Sequence, residues 1–171
     1  MIRMIGALLV VAASTLIGFY LADRYSQRPR QLRQWRSALQ SIEAEIVYGR
    51  VPIAELADHL ARQLPQPLAR FFSYLRDDLL SEGKPLPHAW KTAIERFWPE
   101  TALKEAEREV LLQFGAVLGT DDVENEKKHV RLAMSHLERE EAEARAEQIT
   151  HERMMRSLGF LAGVLIVLVL I

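Results

Sequence analysis

The chain is expected to be all-α: a compact antiparallel helical bundle in the cytoplasm with a membrane helix at each end. Three observations lead there. No run alternates apolar and polar residues as a half-buried strand would, whereas apolar residues recur at three- and four-residue spacing through most of residues 23–157. Both ends are uncharged apolar runs. The stretch from Val123 to Leu158 contains neither Gly nor Pro and reads as one continuous helix. The organisation that follows is an anchor over 1–22, a helical bundle over 23–157 that ends in a long charged helix, and a second membrane segment over 158–171.

From Ile5 to Ala22 there is no charge, and as a helix this run would extend roughly 27 Å, enough to cross a bilayer core. A cleaved signal peptide is the competing reading. The run is longer than a usual signal core, and Tyr20-Leu21-Ala22 is a poor cleavage pattern, so a retained anchor is expected. Arg24, Arg28, Arg30, Arg33 and Arg36 follow it, against Arg3 on the other side. By the positive-inside rule this keeps the following residues in the cytoplasm. The five arginines form a membrane-proximal basic collar. Within the anchor, Ser14 and Gly18 make a small-xxx-small face suited to packing between membrane helices.

The bundle reads helix by helix. Leu32, Trp35, Leu39, Ile42 and Ile46 alternate by three and four along one seam, and Gly49 ends that helix. Pro52 opens a short helix with Ile53, Leu56 and Leu60 on its buried side. Pro65 and Pro67 interrupt the chain, with Pro67 suited to a first helical position. Leu68, Phe71, Phe72, Leu75 and Leu79 then form a stripe that stops at Gly83. Leu86 to Trp98 buries Ala89, Trp90, Ala93, Ile94 and either Phe97 or Trp98, and Pro99 stops it. Thr101 is the expected cap of the next helix, whose stripe would be Leu103, Ala106, Val110, Phe114 and Val117. Gly115 there suits close packing, and Gly119 a C-terminal cap. Trp35, Trp90 and Trp98 are expected in the core. Short connections make neighbouring helices antiparallel.

Thr120, Asp121 and Asp122 are N-cap candidates for the long last helix, whose stripe is Val123, Val130, Met134, Leu137 and Ala144. Its middle, LEREEAEARAEQITHER, is charged nearly all round and is expected to be solvated. From Leu158 to Ile171 no charge remains, but roughly 21 Å of helix is short for a span unless Met154 and Met155 extend it and Arg156 snorkels. A full span is expected, with a shallow interfacial segment as the alternative. Arg153 and Arg156 again place the bundle in the cytoplasm. Gly159 and Gly163 form a GxxxG face that could join the two membrane helices or two protomers, so a homo-oligomer is one expectation.

Chemistry-bearing patterns are few. With 22 basic and 23 acidic residues the formal charge is −1, which gives no global pull toward nucleic acid. There is no cysteine, hence no disulfide, thiol nucleophile or thiolate metal site. Glu126 and His129 make one Glu-x-x-His, where a di-iron bundle needs two such units and two further glutamates. His129 and His136 are about 10 Å apart along a helix and cannot share an ion. QFGAVLGTD lacks the lysine and spacing of a phosphate loop, and no G-x-S-x-G occurs. Glu43 and Glu45 face different ways on a helix and do not form a carboxylate pair. No catalytic residue, metal site or cofactor is expected, and the chain reads as no enzyme.

The phrases RPRQLRQWRSALQSIEAEIVYGRVPIAE, LLQFGAVLGTDDVENEKKHVRLAMSHLEREE and MMRSLGFLAG closely resemble the stage III sporulation protein AB family of endospore-forming bacteria, over essentially the whole chain. That family in turn looks like the cytoplasmic domain of the type II secretion F protein. This chain carries one such domain rather than two. The resemblance implies a platform in the mother-cell membrane facing the forespore, within a transenvelope channel complex. Implied partners are a cytoplasmic secretion-type ATPase (stage III sporulation protein AA) and other members of the complex. It carries over no established functional residue. Candidate partner contacts are charges that the bundle is expected to leave exposed: Glu43, Glu45, Arg131, Glu138, Arg139 and Glu140, with Arg28, Arg30 and Arg33 nearer the membrane. The alternative is a lipid-responsive signalling adaptor that uses this basic collar against anionic membrane.

Overall fold

Proline and glycine set the limits of most elements. The computed structural model describes residues 26–49, 51–81, 83–119 and 122–170, with side chains described as far as His151 and at Met154. Helix α1 is described over 26–48 and gives way at Gly49. Helix α2, Ile53–Gln63, starts directly after Pro52. Helix α3, Leu68–Ser81, begins one residue later than expected, with Pro67 outside it after a cis Gln66–Pro67 bond. Helix α4, Leu86–Phe97, starts after Pro85 and holds Pro87 in its first turn, where the missing N–H leaves no bond unmade. Pro99 turns the chain into a single 3-10 turn, Trp98–Glu100. Helix α5, Glu105–Val117, ends towards Gly119 at φ 76°, a left-handed conformation that a β-carbon would strain. Helix α6 then runs for 48 residues, Val123–Leu170. Among the described residues there are six α-helices and no strand, arranged as an antiparallel bundle.

The chain divides into two compact units, residues 30–141 and the two chain ends, 1–29 with 142–171. In the 30–141 unit the core is aromatic. Trp35 from α1, Phe71 and Phe72 from α3, and Trp90 and Phe97 from α4 are all buried. Their rings meet at tilted and edge-on angles, with centroids 4.8 Å apart for Trp35–Phe71, 4.9 Å for Phe71–Phe72 and 4.9 Å for Phe71–Trp90. Such pairs add about 0.5–1.5 kcal/mol each beyond the area they bury. Leu32, Leu39 and Ile42, Leu68 and Leu75, and Ala89, Ala93 and Ile94 complete the expected stripes. Ile46 and Leu79 are only half-buried, because they lie where their helices end. On α2, Ile53 and Leu56 are half-buried and Ala57 is buried beside Leu60; with Ile42, Phe72, Leu75, Trp90 and Leu118 they line a cavity of about 10 Å³. Of the three tryptophans only Trp98 is not fully inside: it is half-buried, with the Arg108 guanidinium 5.4 Å from its ring centre.

Helix α5 departs from its expected stripe. Leu103 and Phe114 are buried, but Ala106 is exposed and Val110 and Val117 are half-buried; the inward face is Glu107, Leu111, Phe114 and Gly115. Two local constraints rotate it. The Glu107 carboxylate accepts the Lys104 N–H at the first turn, which draws an acidic residue inward. Trp90 donates its indole N–H to the Leu111 carbonyl at 2.9 Å and occupies the space over Gly115, where a β-carbon would stand 1.9 Å from the ring. Gly115 therefore serves close packing as expected. Thr101 does not cap the helix; Lys104 is the flanking residue, and the Thr101 hydroxyl donates to the Gln31 side-chain carbonyl at 2.7 Å while accepting the Leu103 N–H.

On α6, Asp122 is the N-cap, its carboxylate accepting the Asn125 N–H at 2.9 Å; Thr120 and Asp121 lie outside the described residues. Val130, Leu137 and Ala144 are buried as expected, Met134 is half-buried and Val123 is exposed. The middle of α6 is not solvated all round, since Glu141 and Ala144 are both buried. Among the described residues no helix is long and apolar enough to cross a membrane. The anchor over 1–22 lies outside the described residues, as do the side chains of 158–171.

Candidate interaction surface

In the 30–141 unit the charges of α1 and α6 find one another. Arg33 donates Nε–H to Glu141 at 3.1 Å, and Arg36 donates to the other Glu141 oxygen at 2.9 Å. A second Arg36 nitrogen lies 3.1 Å from Glu138, and Arg131 donates to Glu43 at 2.7 Å. As the α1 partner rises from 33 through 36 to 43, the α6 partner falls from 141 through 138 to 131. That one-for-one descent defines two antiparallel helices in a single register. Glu141, only 3% exposed, sits at one end of it between two guanidinium groups. A buried carboxylate is tolerated when its lone pairs are taken up in this way.

The expected contact residues therefore divide. Glu43 is bonded to Arg131 and is mostly covered. Glu45 accepts the Val51 backbone N–H and closes the α1–α2 connection, so it too is not left free on the surface. The helix geometry that sends these two carboxylates to different partners is the one expected from their spacing. Glu138 stays largely exposed while paired with Arg36, Arg139 is exposed, and Glu140 is half-buried. Within the collar, Arg30 and Arg33 are exposed, Arg36 is half-buried, and Arg24 lies outside the described residues.

In the unit of the chain ends, Arg28 is buried rather than displayed, and pairs with Glu147 at 3.1 Å. The His151 ring nitrogen lies 2.8 Å from the Glu147 carbonyl, one turn back along α6. Ser14 and Gly18 lie outside the described residues. Gly159 and Gly163 lie in helical backbone whose surroundings are also outside them.

Residues that sequence reasoning passed over are the buried polar ones. Gln31 receives both the Thr101 hydroxyl and the Ala102 N–H and ties α1 to the α4–α5 connection. Asp78, buried on α3, takes Arg96 at 3.3 Å. Glu141 carried a readable signal: it falls four residues after Leu137 and three before Ala144, on the apolar stripe of α6.

Electrostatics elsewhere is local. A hydrogen bond from Arg76 holds the Asp58 carboxyl below its ordinary value of 3.8, while hydrogen bonds to Asp77 and then to Asp58 raise Arg76. Glu126 accepts the Gly119 N–H at the start of α6. Among the described residues no three or more His, Asp or Glu side chains gather where an ion could be held. The apolar cavity has room for about one water molecule, which is not room for an organic ligand.

Comparisons with known proteins agree with one another. The profile of the family described as stage III sporulation protein AB matches residues 3–171. Stage III sporulation protein AB of Bacillus subtilis (strain 168) is 44% identical over 170 residues, which is 99% of each chain. A solved structure of a stage III sporulation protein AB superposes with a TM-score of 0.70 at 43% identity, covering 72% of this chain and 98% of that one. From its register of matching residues to its helical fold, the chain belongs to the stage III sporulation protein AB family.

Proposed function

We propose that this sporulation protein is a non-enzymatic platform held in the mother-cell membrane at both ends, with its bundle in the cytoplasm. There it would position a secretion-type ATPase (stage III sporulation protein AA) against the other components of a transenvelope channel. The observation that carries the reading is the pairing of Arg28 with Glu147. It sets residue 28, which follows the first apolar segment, beside residue 147, which precedes the second, and this suits a chain anchored at both ends. A bundle held by two segments resists tilting better than one held by a single tether. In the 30–141 unit, the salt-bridged α1–α6 register supports the same reading, because it fixes residues 33–43 against residues 131–141.

No phosphate loop or nucleophile motif occurs in the sequence, so energy for transport would come from the partner. The adaptor reading draws less support, since Arg28 and Arg36 are committed to α6 carboxylates and Arg33 partly so. The test uses the detergent-solubilised full chain and the ATPase, with salt as the variable. Saturable binding that weakens as salt rises, and weakens again in an Arg139→Glu, Glu140→Arg double variant, is the expected result. Absence of binding at low salt would count against the platform and leave the adaptor reading ahead.

A further inference from the structure

Within the 30–141 unit, one face of α1 is unlike the rest of the surface. Ser37, Gln40, Ala44 and Val47 are exposed at three- and four-residue spacing, which is a single stripe along a helix, and Tyr48 adjoins it. Val47 is 41% exposed and Tyr48 68%. None of these residues is charged, in a chain of which 26% is. A helix face that meets only water normally carries charge. The outer side of α6 does so, with Lys128, Arg131, Glu138 and Arg139 exposed. The charges on α1 near the stripe are turned away from it: Arg36 and Glu43 bond α6, and Glu45 bonds the Val51 N–H.

Toward the start of α1 the same stripe continues into two cations. Arg30 is exposed, and Arg33 remains 62% exposed although its Nε serves Glu141. From Arg30 to Val47 the strip is about 26 Å long, enough for five turns of a facing helix. Ser37 and Ala44 are small and permit close approach of another backbone. We propose that this strip docks a helix of a partner protein. That helix would carry carboxylates opposite Arg30 and Arg33, and aliphatic or small side chains opposite Ala44 and Val47.

Charge decides the kind of occupant. The inference rests on the platform reading, in which every copy stands in one membrane. A second copy of the same strip carries no carboxylate to set against Arg30 and Arg33, whichever way it lies. An anionic lipid surface would answer Arg30 and Arg33 but offers no match to the uncharged stretch from Ser37 to Val47.

The experiment counts heat-resistant spores in cells whose sole copy is the full chain or a variant of it. Ala44→Glu, Val47→Glu and Arg30→Glu are each expected to lower the count by about tenfold at unchanged protein level, the scale on which one interface contact alters affinity. Ala106→Glu, at an exposed alanine on α5, is expected to leave it unchanged. Gln40→Arg, a polar-for-polar change within the strip, is expected to lower the count about tenfold as well and stands in if a glutamate variant fails to accumulate. Full spore yield in the strip variants would overturn the docking strip while leaving the platform standing. An effect of Arg30→Glu alone would overturn it in favour of a membrane contact. Efficient disulfide dimers of Ala44→Cys in membranes, clean to read because the chain has no cysteine, would overturn it in favour of a second copy. If deleting the chain leaves the spore count unchanged, the platform reading itself fails and the strip with it.

Discussion

Within the 30–141 unit, helix α1 contributes to two kinds of contact, and they differ in what they do. Toward α3 and α4 it presents Trp35, Leu39 and Ile42, packed among rings and aliphatic chains. Toward α6 it presents Arg33, Arg36 and Glu43, each bonded to an opposite charge. Apolar burial is strong and non-directional, so it holds helices together without specifying how far one has slid along another. Ion pairs at a helix interface contribute little net stability, because desolvation offsets the attraction, but they penalise every register except one. The first face keeps the bundle folded and the second keeps α6 in place along it.

The largest effect should come from the aromatic side. Phe71 meets Trp35, Phe72, Trp90 and Phe97. Phe71→Ala should cost about 3–5 kcal/mol, read from urea unfolding of the detergent-solubilised full chain by tryptophan fluorescence. Gly115→Ala acts on the same core by overfilling it: the new methyl group would meet the Trp90 ring, and a loss of about 1–3 kcal/mol is expected. If either change were tolerated without loss, the rings would not be the centre of the fold.

Glu141 tests the seam. Glu141→Ala leaves Arg33 and Arg36 facing one another without their acceptor and should cost about 2 kcal/mol. Glu141→Leu fills the same place with an apolar side chain and should come close to wild-type stability, because a buried ion pair can be replaced by well-packed hydrophobic volume. The comparison sharpens if the leucine variant is stable yet no longer supports sporulation, for then register rather than stability is what the carboxylate contributes. A leucine variant as unstable as the alanine one would mean that the seam holds the fold as the core does. Farther out, Glu43→Gln should cost less than about 1 kcal/mol, since Arg131 is mostly solvated.

How much of this could be read from the chain follows the same division. The stripes of α1, α3 and α4 and their ends at Gly49, Gly83 and Pro99 were legible, because helical periodicity and chain-breaking residues act within a few positions. The inward face of α5 was misread, because an acidic residue, Glu107, faces inward and a glycine, Gly115, takes the place of a large side chain under Trp90. Glu43 and Arg131 were both singled out, though as separate surface contacts. Their pairing depends on the register of two segments 88 positions apart, which no local pattern encodes. Glu141 looked solvated because its neighbours are charged, while its place on the Val130–Leu137–Ala144 line implied the reverse.

Asp58 gives the smallest effect and shows whether charge pairs away from the seam behave alike. It joins α2 to α3 through Arg76 at 2.9 Å, and its folded carboxyl titrates below the ordinary 3.8. A group whose folded pKa is depressed adds stability above its unfolded value and loses that contribution as pH falls through the folded one. Wild type should therefore exceed Asp58→Asn in urea midpoint at neutral pH, and the gap should close as acid takes Asp58 through its depressed pKa. Subtracting the variant removes the titration of every other carboxylate from the comparison. The contact is partly open to water, so high salt should shrink the gap at neutral pH as well, whereas buried Glu141 should respond less to salt. A gap that ignored both pH and salt would mean that Asp58 acts through packing, and that the ionic seam is not distinguished from the rest of the bundle by its exposure to water.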